Sequence, residues 1–573
     1  MPLLSTSRLS ILCRVLVIGL LWAGLAQAQV PAFDYAFAFG SVVPYTAGNT
    51  RALQSATDAA GNVYVTGNFI GTAAFGNTTL TSTNFSTDIF VAKLSPGGQW
   101  LWAVLAGGNQ TDEGTGIAVD ATTGNVYLTG SIFYTASFGN IALTTTGGVQ
   151  NPFIAKLSPT GQWQWAINGG GTSSDFGNAI TLDGNGNAYI TGSLNSASAT
   201  FGPVSLGANS GSQGLGLFVA KASATGLWQW ATKTTDTNPS VVNAGTRIVA
   251  DASGSCYVTG NFYSATLTLG NTTLTNAAPG TVTNDLFVAK LNTAGQWQWA
   301  VRAGGNSYDY ANDLVLDAGG NLYVAGELQS PSVAFGTTTL GTFTTNNTAA
   351  YVAKLTPAGT WAWAAQSALS GGASASAFGK GLAVGPDGSA YLTGFFYGRP
   401  SFGSTPLVGV SQDVYVAKLT PAGRWQWALR SGGSSDEIAY DIALDPAGNA
   451  YLAGAFASPS ISFGPVTITN STSPNNNLGF VARLAAAVLS STAANRGVAA
   501  ASLWPNPART TATLAVPAAS YGREVVLTDA LGRVVLNQKL PALSSRTVLD
   551  VRSLPGGVYG VRCDNTIQKL VVE

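Results

Sequence analysis

Three short motifs recur seven times along this chain, in fixed order, and that periodicity limits the possible folds more than any other feature. The first is Gly-Asn/Ser-x-Tyr-hydrophobic-Thr/Ala-Gly, with its tyrosine at Tyr64, Tyr127, Tyr189, Tyr257, Tyr323, Tyr391 and Tyr451, 60 to 68 residues apart. The second is Phe/Tyr-Val/Ile-Ala-Lys/Arg, with its basic residue at Lys93, Lys156, Lys221, Lys290, Lys354, Lys418 and Arg483. The third is Phe-Gly or Leu-Gly, at Phe75, Phe138, Phe201, Leu269, Phe335, Phe402 and Phe463. A fourth motif, Trp-x-Trp, occurs only six times, ending at Trp102, Trp165, Trp230, Trp299, Trp363 and Trp427. The missing copy belongs at the start, where Asp34-Tyr35-Ala36-Phe37-Ala38 has the same aromatic-x-aromatic-Ala shape.

Each unit reads as four strands: a run such as ITLD, a run such as AYITG, FVAKL and WQWA. The last unit lacks its fourth strand, and the N-terminus carries a spare. A ring can complete its last sheet with that spare strand, whereas an open solenoid leaves exposed edges at both ends. The expected fold is therefore all-β, a seven-bladed β-propeller closed by its N-terminal strand. The unit exceeds the usual propeller repeat of about 40 to 50 residues. The excess lies around the Phe-Gly motif and predicts a further small hairpin at the rim.

The stretch FIAKLSPTGQWQWA (153–166) shows what the aromatic motif is for. Ser-Pro-Thr-Gly suits a type I turn followed by a left-handed glycine. Counting outward predicts Leu157 opposite Trp163, Lys156 opposite Gln164 and Ala155 opposite Trp165, which places both tryptophans on one face with Phe153. Repetition of this face in register is what sheet-to-sheet packing requires. The alternative is a rim of tryptophans that stack on sugars. The basic ring is expected to cover sheet with its stems and to reach loop carboxylates or carbonyls.

The side-chain inventory excludes several chemistries. Of 573 residues only 9% are charged, and 26 basic side chains balance 26 acidic ones, so nothing marks a nucleic-acid partner. There is no histidine, which removes Ser-His-Asp and Cys-His catalysis and imidazole-ligated metals. Residues 1–28 read as a secretory signal, with Arg8 and Arg14 before an apolar core and Ala26-Gln27-Ala28 at the cleavage site. No later segment is long and apolar enough to span a bilayer. Cys256 and Cys563 remain, too distant in sequence and setting to expect a disulfide.

Acidic residues gather in the Gly-Gly loops after the tryptophan strands: Asp112 and Glu113, Asp175, Asp309 and Asp313, Asp436 and Asp441. These seven are the candidate ligand-binding residues. Their other reading is turn capping. A third reading is calcium, a hard cation that oxygen ligands suit, and no dedicated metal centre or other cofactor is expected. Asp120, Asp183, Asp251, Asp317 and Asp445 precede the next Gly-Asn or Gly-Ser turn and read as turn residues.

The repeats GNVYVTG, FVAKL and the Trp strand with its Gly-Gly loop resemble the bacterial β-propeller repeats labelled SBBP, over roughly residues 30 to 486. That resemblance implies architecture rather than an activity. After a linker at 487–501, residues 502–573 resemble the C-terminal sorting domain of type IX secretion. The carrying residues are Pro505, Asn506 and Pro507, the Asp529, Gly532 and Arg533 turn, the Pro555, Gly557 and Tyr559 strand, and Lys569 in the terminal KLVVE run. The resemblance implies a small immunoglobulin-like β-sandwich, export by the type IX machinery through the periplasm, and a secreted or outer-surface location. The expected domains are thus 1–28, 29–486, 487–501 and 502–573. The expected role is a non-enzymatic scaffold for a protein or glycan ligand. Its rivals are a polysaccharide hydrolase or lyase using loop carboxylates, and a purely structural surface protein.

Overall fold

The structure is a computed structural model that describes residues 31–41, 49–207, 216–236, 243–280, 283–341, 347–369, 375–470, 476–486, 502–516, 523–529, 533–541, 544–563 and 566–573. The signal segment, its cleavage site, the 487–501 linker and Gly532 lie outside these residues. The chain divides into two compact units, Met1–Ala487 and Val488–Glu573. Both are all-β, and no described helix is long and apolar enough to cross a membrane.

In the first unit, seven four-stranded antiparallel sheets follow one another among the described residues. They are numbered here as sheets 1 to 7. Their first strands are Thr50–Thr57, Glu113–Val119, Phe176–Leu182, Ala244–Ala250, Asp309–Leu316, Ser376–Val384 and Glu437–Leu444. These first strands touch in turn, and that of sheet 7 touches that of sheet 1, so the sheets form a ring with the first strands innermost. Sheet 7 takes its fourth strand from the other end of the chain: Phe33–Ser41 pairs antiparallel with Leu478–Leu484, with Tyr35 opposite Arg483 and Phe37 opposite Val481.

Each repeat also carries a short hairpin at its Phe-Gly motif, such as Thr135–Phe138 with Ile141–Thr144. Two of these hairpins join the fourth strand of the preceding sheet, with Ala136 opposite Gly108 and Ala74 opposite Gly40, and three others pair with a short strand that follows it, such as Gly170–Gly171. This is the predicted rim hairpin.

The outer hairpin differs from the simple count in one respect. Leu157 faces Trp163 as expected, but Lys156 faces Trp165 and Ala155 faces Ala166, because Gln164 is an extra residue in a β-bulge. One inserted residue reverses the facing of everything beyond it. The two tryptophans therefore point to opposite faces, not to one. Trp163 packs edge-on to Phe138 in the core between sheets 1 and 2. Trp165 packs edge-on to Tyr127 in the core between sheets 2 and 3. The bulge recurs in the other hairpins, so a Trp-x-Trp strand fastens its sheet to both neighbours.

The basic ring completes this joint. Lys156 Nζ lies 4.8 Å from the Tyr127 ring centre and donates to the carbonyl oxygen of Ala224. Lys221 stands over Tyr189 and 3.4 Å from Asp183. Asp183 closes its own turn by accepting from the amides of Asn185 and Asn187, and also takes the Tyr189 hydroxyl proton at 2.9 Å. Asp120, Asp251, Asp317 and Asp445 hold their turns in the same way.

The second unit stacks a three-stranded sheet and a four-stranded sheet over one core of Leu514, Val525, Leu527, Leu549, Val561 and Leu570. The motif residues brace it locally. Asn506 Oδ1 accepts the Val571 amide at 2.8 Å, tying the Pro505-Asn506-Pro507 segment to the strand that carries Lys569. Asp529 accepts from Arg533 Nε at 2.7 Å, and the Tyr559 hydroxyl donates to the carbonyl of Pro555 at 2.6 Å, next to Gly557. Cys256 and Cys563 are buried, one in each unit.

Candidate ligand site on the inner strands

All seven innermost strands carry a β-bulge at the same place, and the bulged residues are Leu53, Thr115, Asn178, Thr246, Asn312, Lys380 and Tyr440. Where that residue can donate, it stitches its sheet to the next. Thr115 Oγ1 donates to the Gly177 carbonyl at 2.7 Å, Asn178 Nδ2 to Gly245 at 2.8 Å, Thr246 Oγ1 to Ala311 at 2.7 Å and Asn312 Nδ2 to Gly379 at 2.8 Å.

One position further on, charged residues meet across the ring. Arg247 of sheet 4 lies 3.1 Å from Asp313 of sheet 5 and 4.0 Å from Asp441 of sheet 7, a sheet it does not adjoin. These side chains therefore bridge the axis. Asp313 also accepts the Leu382 amide at 2.7 Å, and Asp441 accepts the Ser55 amide and hydroxyl at 2.8 and 2.7 Å. Burial pushes Asp313 up to about 6 and also raises Asp441, with the Arg247 charge opposing the rise.

The Gly-Gly loop carboxylates are mostly turned inward. Asp112 accepts the Gly108 amide at 2.7 Å and the Phe133 amide at 2.8 Å. Asp175 accepts Gly171, Asn195 and Ser196 amides, and Asp309 accepts Gly305, Gln329 and Ser330 amides. All three have no exposed surface. They peg the loop to the end of the adjoining strand, which is a capping position rather than a ligand-facing one. In sheet 7 the peg is Glu437, bound to the Gly433 amide and the Ser458 hydroxyl, a residue the sequence reading passed over in favour of Asp436. Asp436 is exposed and accepts the Gln412 amide at 3.3 Å, and Glu113 is partly exposed. The seven candidates thus fall into three places: buried pegs, the axis, and two surface positions. Burial pushes Asp112 and Glu437 up to about 7. Among the described residues no group of three or more cysteine or acidic side chains is placed to hold a metal ion.

Partly exposed aromatic side chains gather at sheets 4, 5 and 6. Two residues before the bulged one stand Tyr310 in sheet 5 and Phe378 in sheet 6, with Phe176 at the same place in sheet 3, where sheets 1, 2, 4 and 7 carry Arg51, Glu113, Ala244 and Ile438. Tyr263 lies beside Tyr310, and Tyr308 lies nearly parallel to Tyr310 with ring centres 6.4 Å apart. Glu327 sits opposite Tyr310 in the sheet and binds Asn312 Nδ2 at 2.9 Å and the Lys380 ammonium. Lys380 in turn stands over Phe395, which stacks on Phe378 at 4.4 Å, with Tyr397 at 6.0 Å. The six aromatic rings are partly exposed. Sequence reading missed this arc because its signal is a departure from the repeat, visible only after aligning equivalent positions.

Residues 502–573 match the family described as Secretion system C-terminal sorting domain, and residues 167–197 match Beta-propeller repeat. The chain is thus an exported protein that carries β-propeller repeats and a type IX sorting domain, delivered to the cell surface or beyond. It is 26% identical over 449 residues to an uncharacterized WD repeat-containing protein of Acanthamoeba polyphaga mimivirus, covering 66% of this chain. The match spans 32% of that relative, about a third of its length. Among solved structures, a Bacteroides caccae protein of unknown function aligns with a TM-score of 0.28 at 9% identity, over 59% of this chain and 94% of that one. Sqt1 from Chaetomium thermophilum aligns at 0.29 and 13% identity, over 81% and 96%.

Proposed function

We propose that the first unit is a seven-bladed β-propeller closed by its N-terminal strand, and that it serves as a non-catalytic, surface-delivered scaffold that binds a glycan. The observation that carries the binding reading is the aromatic arc of Tyr263, Tyr308, Tyr310, Phe378, Phe395 and Tyr397. Flat, partly exposed rings with phenol and amide edges suit a ligand whose rings have an apolar face and a belt of hydroxyls. The charged groups of the arc, Glu327 and Lys380, neutralise each other, which favours a neutral saccharide over an acidic one. The non-catalytic reading is supported by the loop carboxylates, whose oxygens are taken up by backbone amides. Pairing of Phe33–Ser41 with Leu478–Leu484 and the unbroken ring of inner strands support the closure.

The test is a glycan array of neutral, uronic-acid-bearing and sulfated oligosaccharides, with reducing-end release assayed alongside. Saturable binding to neutral glycans, without release, is expected. Replacing Phe378 by Ala is expected to weaken it about tenfold or more, as loss of a central aromatic contact does. Turnover of any glycan overturns the non-catalytic reading, and binding only to acidic glycans overturns the ligand class.

A further inference from the structure

Among the described residues, positive φ belongs to glycines with three exceptions, and those three fall in one place. Asn84, Phe85 and Tyr134 have φ of 53°, 57° and 64°. They lie in two loops, of the first and second repeats, that are held by the same hydrogen bonds. In the first, the Ser82 amide donates to the Gly71 carbonyl at 2.7 Å and the Thr83 amide to Asp88 at 2.7 Å. In the second, the Thr145 amide donates to the Tyr134 carbonyl at 2.8 Å and the Thr146 amide to Asn151 at 2.8 Å. Phe85 thus stands where the second loop has Gly148, and Tyr134 where the first has Gly71, and both of those glycines have positive φ. Each loop carries one aromatic residue and one glycine, in exchanged places. A Cβ at Gly148 would stand 3.1 Å from the Tyr134 ring, so that glycine makes room for the aromatic.

Left-handed backbone is costly for a bulky residue, and a glycine would remove the cost. Burial does not offset it here. Phe85 is 76% exposed and Tyr134 60%, the highest values of any aromatic side chain among the described residues. Strain kept at an exposed aromatic residue points to a task on the surface. The two loops meet at the end of one strand: Ser86 Oγ donates to the Gly108 carbonyl at 2.8 Å, and Gly108 pairs with Ala136, two residues from Tyr134. Tyr134 follows the second strand of sheet 2 as Tyr263 follows that of sheet 4, so the pair shares a face of the ring with the aromatic arc. The exposed residues beside the pair, Thr81, Thr83, Asn84, Thr144 and Thr146, are hydroxyls and one amide without charge. A protein hot spot sits in a desolvated apolar pocket. Rings that stand singly among hydroxyls suit a sugar.

We propose that Phe85 and Tyr134 form a second saccharide platform, so that the protein holds a long neutral glycan at two places on one face. The inference rests on the glycan reading of the arc and adds the size of the ligand: a polymer that reaches both platforms. Once one platform is engaged, the second contact is made within the same complex, so it raises affinity without a further molecule to recruit.

The probes are three soluble neutral polysaccharides, mixed-linkage β-glucan, galactomannan and arabinoxylan, each cast into a native gel through which the full secreted chain migrates. Retardation by at least one of them is expected. Phe85→Gly combined with Tyr134→Gly should weaken that binding about tenfold or more, as loss of one of two linked contacts does. The same variant should keep or raise its thermal midpoint, because glycine relaxes both turns. Phe378→Ala should also weaken binding, and the three changes together should weaken it further than either set alone. Unchanged retardation of the double glycine variant, with loss in Phe378→Ala, overturns the second platform and leaves the arc standing. Loss confined to the double glycine variant supports the platform and overturns the arc. A lowered midpoint of that variant overturns the strain on which the inference stands, and no retardation of the parent chain in any of the three gels overturns both readings.

Discussion

The outer hairpins and the inner strands of this ring follow opposite rules. At the rim, the same tyrosine, lysine and pair of aromatics recur, and each copy does the same work against its neighbours. On the inner strands the backbone device recurs, a bulge at one fixed place, while the residue it presents changes from Leu53 to Thr115 to Lys380 to Tyr440. The difference shows where this chain has freedom. A rim side chain must fit a neighbouring sheet built from the same pattern, so it is fixed. An inner side chain meets the axis or a loop, so it can acquire chemistry of its own, as the Arg247 bridge and the aromatic arc have done.

If the rim is uniform mortar, truncating it should be the most damaging change. Trp165→Ala is expected to cost about 3 kcal/mol or more, read as a lowered thermal midpoint, and Trp102→Ala should cost about as much. At the axis, Arg247→Met leaves Asp313 and Asp441 buried without their cation, and about 3 kcal/mol should be lost at pH 8. Much of that loss should vanish at pH 5.5, where both carboxylates can take up protons. A loss independent of pH would mean that the bridge acts only as packing.

The unmodified protein should show the same sign more weakly. Asp112 and Glu437 are pushed up to about 7 and Asp285 to about 6, chiefly by burial. The folded chain therefore holds protons that the unfolded chain gives up near pH 4, and stability should fall as pH rises from 5 to 8. Thermal midpoints at pH 5.5 and 8 check this, and Asp112→Asn should flatten the slope. The smallest effect belongs to the basic ring: Lys156→Met removes one cation over Tyr127 and should cost about 0.5–1 kcal/mol in denaturant titration.

The order of strands and the spare strand at 34–38 were legible because the motifs that mark them recur along the chain, whereas the stacking of the lysines on the tyrosines was not read. The facing of the tryptophans was not, because a single inserted residue, Gln164, leaves no trace in a count of alternating positions. The Gly-Gly acids looked like a ligand-binding set because loop position suggests exposure, whereas the structure buries Asp112, Asp175 and Asp309 against amides up to 21 residues away. The aromatic arc escaped for a third reason. Its members come from three repeats, and a reading that searches for what recurs discards what does not.

The pairing of Phe33–Ser41 with Leu478–Leu484 also bears on how the molecule is made. Pairing inside sheets 2 to 6 joins residues close in sequence, but Ser55 and Asp441 are hydrogen-bonded partners 386 residues apart. A chain synthesised from its N-terminus shows its first strand long before the strand that completes it exists. Until then Phe33–Ser41 is an open edge, the kind of surface that proteases and aggregation both exploit. A copy that loses its final repeat does not become a smaller ring; it keeps the edge exposed. Completion of the ring thus requires the last repeat as well as the first strand, since each protects the other's edge.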